Sequence, residues 1–237
     1  MRYAPGAAIV DISHNVGPYD LRQAAYLLLS AYKHFPAGTV HILPVDVFYG
    51  DAPRILLAEK DGCFFIAPDN GVLSLAFGDD PGNTWLGYEC SKPYIFNDWI
   101  NGAGKIMEAL QLGSGNLPFA QCDTRKAPWL LQHKPMSDGV ECNVLCIDRF
   151  ENVVLNITKP QFEEIVNGRP FSVKGLKTME ITSISNNYSD VPIGIPLCRF
   201  NISGFLEIAL NHGSAAAYLG LGAFNAGIRY PVITIFF

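Results

Sequence analysis

In the first half of the chain, short apolar bursts alternate with longer stretches of helical spacing. Ala7-Ala8-Ile9-Val10-Asp11-Ile12 has the form of a buried parallel strand. Gly17-Pro18 then breaks the chain, and Asp20 is placed to cap a helix beginning near Leu21. That helix carries Ala24, Ala25, Leu27, Leu28 and Leu29 and stops at Phe35-Pro36-Ala37-Gly38. Thr39 to Val47 reads as the next strand, with His41 in its body. Arg54 to Glu59 and Cys63 to Ala67 flank a Lys60-Asp61-Gly62 turn and predict a hairpin. Pro68-Asp69-Asn70-Gly71 is a turn signal directly after it. Asp98 to Leu112 has helical spacing, weakened by Gly102 and Gly104.

The periodicity lapses from Gly113 to Asp138, where the linker is expected. Beyond it the pattern is β-rich: Val140 to Ile147, Val153 to Ile157, Met179 to Ile184, Leu197 to Asn201, and Val232 to Phe236. One helix is predicted at Lys159 to Asn167. Short strands separated by Gly and Asn turns suggest a small barrel or a sandwich. The expected organisation is an α/β N-terminal domain over residues 1–118, with a mostly parallel sheet flanked by helices, and a β-rich domain over 137–237.

Composition narrows the partners. The chain of 237 residues is 49% hydrophobic and 16% charged, which excludes disorder as its main state. Lys and Arg number 17 against 22 Asp and Glu, a net charge of -5. Nucleic acid and anionic membranes are therefore not expected partners; a small neutral or cationic ligand fits better. So few charges imply that some apolar surface is buried against another subunit. No apolar stretch is long enough for a bilayer, and the N-terminal residues lack the layout of an export signal. The 6 cysteines form no Cys-x-x-Cys pair. Cys142 and Cys146 are read as adjacent core residues, and the whole pattern as that of a reduced cytoplasmic protein without a metal.

Four polar clusters interrupt the apolar sequence where strands end, the usual location of ligand sites in α/β folds. They are Asp11-Ile12-Ser13-His14-Asn15 with Tyr19-Asp20, Asp46 with Tyr49 and Arg54, Asp69-Asn70, and Asp148-Arg149-Phe150-Glu151-Asn152. In the last, an acid, an aromatic and an amide within five residues can hold an amine, stack a planar ring and read a base edge. Each also has a plain structural reading: strand-end turn residues for Asp46 and Asp69-Asn70, satisfied structural histidines for His14 and His41, core or interface aromatics for Tyr19 and Phe150. The phosphate-loop, dinucleotide, serine-hydrolase and zinc-protease signatures are absent.

The order of these motifs resembles the S-adenosyl-L-methionine hydroxide adenosyltransferases and their fluorinase and chlorinase relatives. The resemblance rests on Val10 to Asp20, Val45-Asp46, Ile66 to Ser74, Ile147 to Asn152 with Asn156-Ile157, and Asn201 to Asn211. It implies an N-terminal α/β domain, a C-terminal β-barrel-like domain and a homotrimer, with S-adenosylmethionine between the N-domain of one subunit and the C-domain of the next. S-adenosylmethionine is then the substrate, and no cofactor is needed. By the same resemblance Asp148 holds the methionine ammonium, Phe150 stacks on adenine and Asn152 bonds the adenine edge. Tyr19 lines the other side, Ile202 and Ser203 meet the methionine carboxylate, and Asn211 with His212 lies near adenine.

The implied reaction is displacement at the ribose C5′ by water or hydroxide, releasing adenosine and methionine. Asp46 and Arg54 match the acid and arginine of the family's Asp-Arg-His set. Ile95, in Tyr94-Ile95-Phe96-Asn97-Asp98, stands where the family histidine is expected, so His41 or Tyr49 would have to fill that role. The family's opening strand with its Thr-Asp-Phe-Gly motif has no counterpart ahead of Ala7. The competing expectation is a catalytically impaired relative that binds S-adenosylmethionine or adenosine.

Overall fold

Asp20 caps helix α1 (Leu21–Ala31) by accepting from the Gln23 backbone N–H at 3.1 Å, and the Gln23 side chain accepts from the Gly17 N–H at 2.7 Å. Donors that a helix start leaves unpaired are thereby met on both sides of the first turn. The computed structural model describes residues 5–78, 80–113, 118–126, 133–174, 180–221 and 232–237. The chain divides into two compact units, Met1–Pro128 and Trp129–Phe237. The expected linker lies partly outside the described residues, as does Met179.

The first unit carries a sheet in the order β1-β3-β2-β4. Its strands are β1 (Val40–Ile42), β2 (Arg54–Lys60), β3 (Cys63–Pro68) and β4 (Asn83–Glu89). Among the described residues of this sheet only β1 and β3 run parallel; β2 is antiparallel to both β3 and β4. The expectation of a mostly parallel sheet is corrected, because Asp61-Gly62 joins β2 to β3 in a two-residue turn with φ of 51° and 75°. Such a turn can connect only antiparallel strands. Strand β1 is shorter than Thr39 to Val47: Pro44 has no N–H to donate, and Asp46 turns the backbone at φ 47°.

The run from Ala7 to Ile12 is not a strand. Among the described residues no strand pairs with it, and Ile9 and Val10 are 66% and 65% exposed. Apolar content alone does not make a strand without a neighbouring ladder.

Helix α2 (Val72–Phe77) packs against α1, and α3 (Phe96–Gln111) lies on β2 and β4. The glycine that weakened the helical reading explains that packing: a Cβ on Gly102 would stand 2.7 Å from the Tyr88 ring. Ile55, Leu57, Ile66, Trp99 and Ile106 fill the core between helix and sheet. Behind the sheet, Tyr32, Phe65 and Phe77 meet edge to face, and His41 stacks on Phe65 at 5.2 Å.

The second unit is one antiparallel sheet ordered β10-β11-β7-β6-β12-β8-β9, with β5 added on β6. The strands are β5 (Lys134–Met136), β6 (Gly139–Ile147), β7 (Val153–Thr158), β8 (Ser172–Lys174), β9 (Glu180–Ile181), β10 (Pro196–Phe200), β11 (Phe205–Leu210) and β12 (Val232–Phe236). Ile184, just past β9, bridges Cys198 of β10, so the sheet curls nearly into a barrel. Alternate side chains such as Val140, Cys142, Leu155, Ile157, Leu206, Ile208 and Ile235 fill its interior. Helix α4 (Lys159–Val166) starts at a reciprocal box in which Gln161 accepts from the Thr158 N–H at 2.9 Å. It ends at Asn167, with φ 49°. Helix α5 (Ala215–Tyr218) follows β11.

Candidate active site

Each unit carries a polar constellation, and each grows out of a strand end. In the first, β2 begins at Arg54 and β3 ends beside Asp69, so hairpin pairing sets the two side chains next to each other. Asp69 Oδ2 accepts from Arg54 Nε at 3.1 Å and from a terminal guanidinium nitrogen, while Oδ1 accepts from the Arg125 backbone N–H at 2.6 Å. Asn70 donates its Nδ2 to the carbonyls of Val45 at 2.9 Å and Asp46 at 3.2 Å, and its Oδ1 accepts from the Val72 N–H. That clasp fixes the turn bearing Asp46. Tyr49 Oη accepts from the Arg54 N–H at 3.2 Å, and the Arg125 guanidinium lies 5.0 Å from the Tyr49 ring centre.

Arg54 is thus paired with Asp69, and Asp46 joins the cluster through Asn70. Burial lifts the Asp46 carboxyl above the ordinary aspartate range. Burial likewise raises the Tyr49 phenol. The guanidinium that Asp69 fixes and the half-buried Asp46 carboxyl are thus tied into one cluster through the Asp69-Asn70 turn. His41, one candidate stand-in for the histidine, is excluded: it is buried in the core between Phe35 and Phe65. Ile95 caps α3, half exposed. Tyr19, at φ 60°, stands exposed on the turn before α1.

In the second unit, the β6–β7 turn is built by Asp148. Its Oδ1 accepts from the Phe150 N–H at 2.8 Å and the Asn152 N–H at 2.9 Å, and its Oδ2 accepts from Asn152 Nδ2 at 3.0 Å. The carboxylate is largely occupied by its own turn, which pushes Phe150 outward to 79% exposure and buries Asn152. A cleft of about 500 Å³ is lined by Phe150, Asn152, Tyr188, Leu210, Asn211, His212 and Gly213. Asn211 donates its Nδ2 to the Val191 carbonyl at 2.7 Å, tying the cleft floor to the turn that carries Tyr188. Both side-chain amides donate through their nitrogens. The Ile202-Ser203 tip sits on the β10–β11 loop, shaped by Asn201 Oδ1 accepting from the Ser203 and Phe205 N–H groups. It is not among the residues lining the cleft.

The fold can be placed among known proteins. The family model for the SAM hydroxide adenosyltransferase N-terminal domain matches residues 1–92, and that for its C-terminal domain matches residues 142–226. This chain belongs to the SAM hydroxide adenosyltransferase family. It is 31% identical to the (R)-S-adenosyl-L-methionine hydrolase of Thermus thermophilus, over 92% of this chain and 86% of that protein. It is 35% identical to the protein of the same name from Methanocaldococcus jannaschii, over 93% of this chain and 82% of that one. A crystal structure of an uncharacterized conserved protein from Thermotoga maritima superposes with a TM-score of 0.76 at 25% identity, covering 99% of this chain and 90% of that one.

Within this SAM hydroxide adenosyltransferase chain, three residues in or behind these clusters were not singled out by the sequence reading. Arg125 lies in the stretch without periodicity. Tyr188 is a lone aromatic in the polar run Asn186-Asn187-Tyr188-Ser189-Asp190; an aromatic isolated among turn formers is the one signal that could have found it. Glu207 sits at an apolar strand position and is buried, with its carboxyl raised by that burial.

Proposed function

We propose that this chain hydrolyses S-adenosyl-L-methionine to adenosine and L-methionine. The observation that carries the reading is the family match through both units, with relatives of that name spanning almost the whole chain. Those relatives are named for the (R) sulfonium epimer, and we take the same epimer as substrate here. Water attacks C5′ in line, the C5′–S bond breaks, the sulfonium takes its electron pair as methionine departs, and the proton from water is released. The leaving group is already activated, so the protein has to orient the water, assist its deprotonation and keep bulk solvent away.

In this reading Asp46 receives the proton and Arg54, braced by Asp69, orients the nucleophile. Tyr49 occupies the cluster where a third polar group is needed. Phe150 and Tyr188 stack the base, Asn152 and Asn211 meet its edge, and Tyr19 covers the ligand. Asp148 meets the methionine ammonium, and the Ile202-Ser203 loop meets the carboxylate. The chain assembles as a homotrimer in which a neighbouring copy contributes to each site. No helix among the described residues is long and apolar enough to cross a membrane. The 6 free cysteines support a reduced, cytoplasmic setting.

The test is incubation with (R)-S-adenosylmethionine, with adenosine and methionine followed by chromatography. The expected result is their appearance in equal amounts above the uncatalysed background. No product while calorimetry still shows binding would overturn hydrolysis and leave a nucleoside-binding protein.

A further inference from the structure

Strand β11 reads Phe-Leu-Glu-Ile-Ala-Leu, and all but its last residue are buried. A carboxylate in that run is costly to desolvate, and burial does raise its affinity for a proton. Its partners explain what it holds. Tyr188 Oη donates to Glu207 Oε1 at 2.8 Å. The Asn201 side chain supplies a further hydrogen bond, and Asp148 and Arg199 are the charged groups near enough to be felt. Arg199 is directly opposite Glu207 across the β10–β11 pair, and its guanidinium lies 4.6 Å from the centre of the Tyr188 ring.

Tyr188 is therefore clamped twice, at its hydroxyl by β11 and on its face by β10. The turn that bears it, Tyr188–Asp190, is short, and Tyr188 is 41% exposed and lines the cleft. An aromatic so exposed on such a turn would exchange rotamers freely if nothing held its far end. Glu207 itself does not line the cleft. A stacking wall that is already immobile spares the ligand the cost of ordering it.

We propose that Glu207 is a positioning residue for ligand binding: its buried carboxylate holds Tyr188 as a preformed wall of the Phe150 cleft. The inference rests on the reading that this cleft takes the adenine of the substrate. It concerns affinity and the orientation of the base, and it assigns Glu207 no part in the displacement at C5′.

The test is a double-mutant cycle of Glu207→Gln, Tyr188→Phe and the combined variant, read by calorimetric affinity for adenosine and by unfolding midpoint. Tyr188→Phe removes one hydroxyl from a partly exposed ring and is expected to fold even where Glu207→Gln does not. The expected result is a loss of adenosine affinity of about fivefold in each single variant, with no further loss in the double variant. KM for S-adenosylmethionine should rise in step while kcat changes little. Wild-type affinity in Tyr188→Phe, with or without a lowered midpoint, would overturn the proposal and leave Glu207 as a structural tie. Single losses that multiply in the double variant would overturn it as well. Failure of the unmodified chain to bind adenosine would instead overturn the reading of the cleft, and the inference with it.

Discussion

Asp69 and Arg54 hold each other twice across the end of the β2–β3 hairpin. The carboxylate accepts from the guanidinium, and the Asp69 backbone N–H donates to the Arg54 carbonyl at 3.0 Å. Asp69 is 4% exposed, so this is a carboxylate withdrawn from water and compensated by an arginine and by the Arg125 N–H. Asp69→Asn removes the charge that Arg54 needs. Unfolding free energy from urea titration should fall by about 1.5–3 kcal/mol, and turnover by about tenfold or more as Arg54 loses its fixed orientation. Unchanged turnover would remove Arg54 from the catalytic cluster.

Asp46→Asn should leave adenosine affinity unchanged and lower kcat by about a hundredfold, the usual worth of a positioned base. Because burial raises the Asp46 pKa, the wild-type rate should fall on the acid side at a higher pH than an ordinary aspartate would give. A raised pKa in the folded state also favours the protonated form, so its stabilising contribution is full at low pH and is lost as pH rises through that pKa. Asp46→Asn should consequently be no less stable than wild type at neutral pH. A pH–rate profile with the same acid limb in the variant would assign that limb to another group.

Phe150→Ala should weaken adenosine binding by about 1–3 kcal/mol, the measured range for a base stacked on an aromatic. Phe150 is 79% exposed, so the unfolding midpoint should hardly move. Loss of stability without loss of affinity would make Phe150 a packing residue.

Asn152 gives its Nδ2 to Asp148, so in the proposed reading its amide oxygen is the atom that meets the base. An acceptor suits the exocyclic amino group of adenine and clashes electrostatically with the carbonyl of hypoxanthine. Adenosine should therefore bind at least about tenfold more tightly than inosine. Equal affinities in competition calorimetry would show that the base edge is not read by this residue.

A Cβ at Gly139 would stand 2.2 Å from the carbonyl oxygen of Ile235, the residue beside its partner Phe236 in the β6–β12 pair. Gly139→Ala must push those strands apart and should cost several kcal/mol, on the order of an overpacked core substitution. Thermal unfolding followed by far-ultraviolet circular dichroism measures it. An unchanged midpoint would mean that the end of β12 yields freely.

Where the sequence carries its own instructions, the structure follows them. Asp20 with Gln23 three residues on, Asp61-Gly62 between two apolar runs, and Lys159-Pro160-Gln161 behind Thr158 are all local, and each forms the cap or turn its chemistry prescribes. In the β-rich second half β6, β7, β9, β10 and β12 were legible, whereas the three-residue β5 and β8 and β11, where Glu207 interrupts an apolar run without alternation, were not. The Ala7 to Ile12 stretch misled because burial was inferred from composition. A strand also requires a partner, and that is not a property of the segment itself. Gly102 misled in the opposite sense, since the loss of helical propensity is offset by close contact with Tyr88.

The candidate site divides along the same line. The five residues from Asp148 to Asn152 announce an acid, an aromatic and an amide, and the turn they form needs nothing beyond itself. The partnership of Arg54 with Asp69 depended on hairpin register. That of Tyr188 with Glu207 depended on how a distant turn folds over β11. Residue types, caps and turns are written in the sequence because neighbours along the chain settle them. The company that Arg54, Tyr188 and Glu207 keep was decided only by tertiary structure, because hydrogen bonds between side chains from separate segments exist only once strand pairing and packing have brought those segments together.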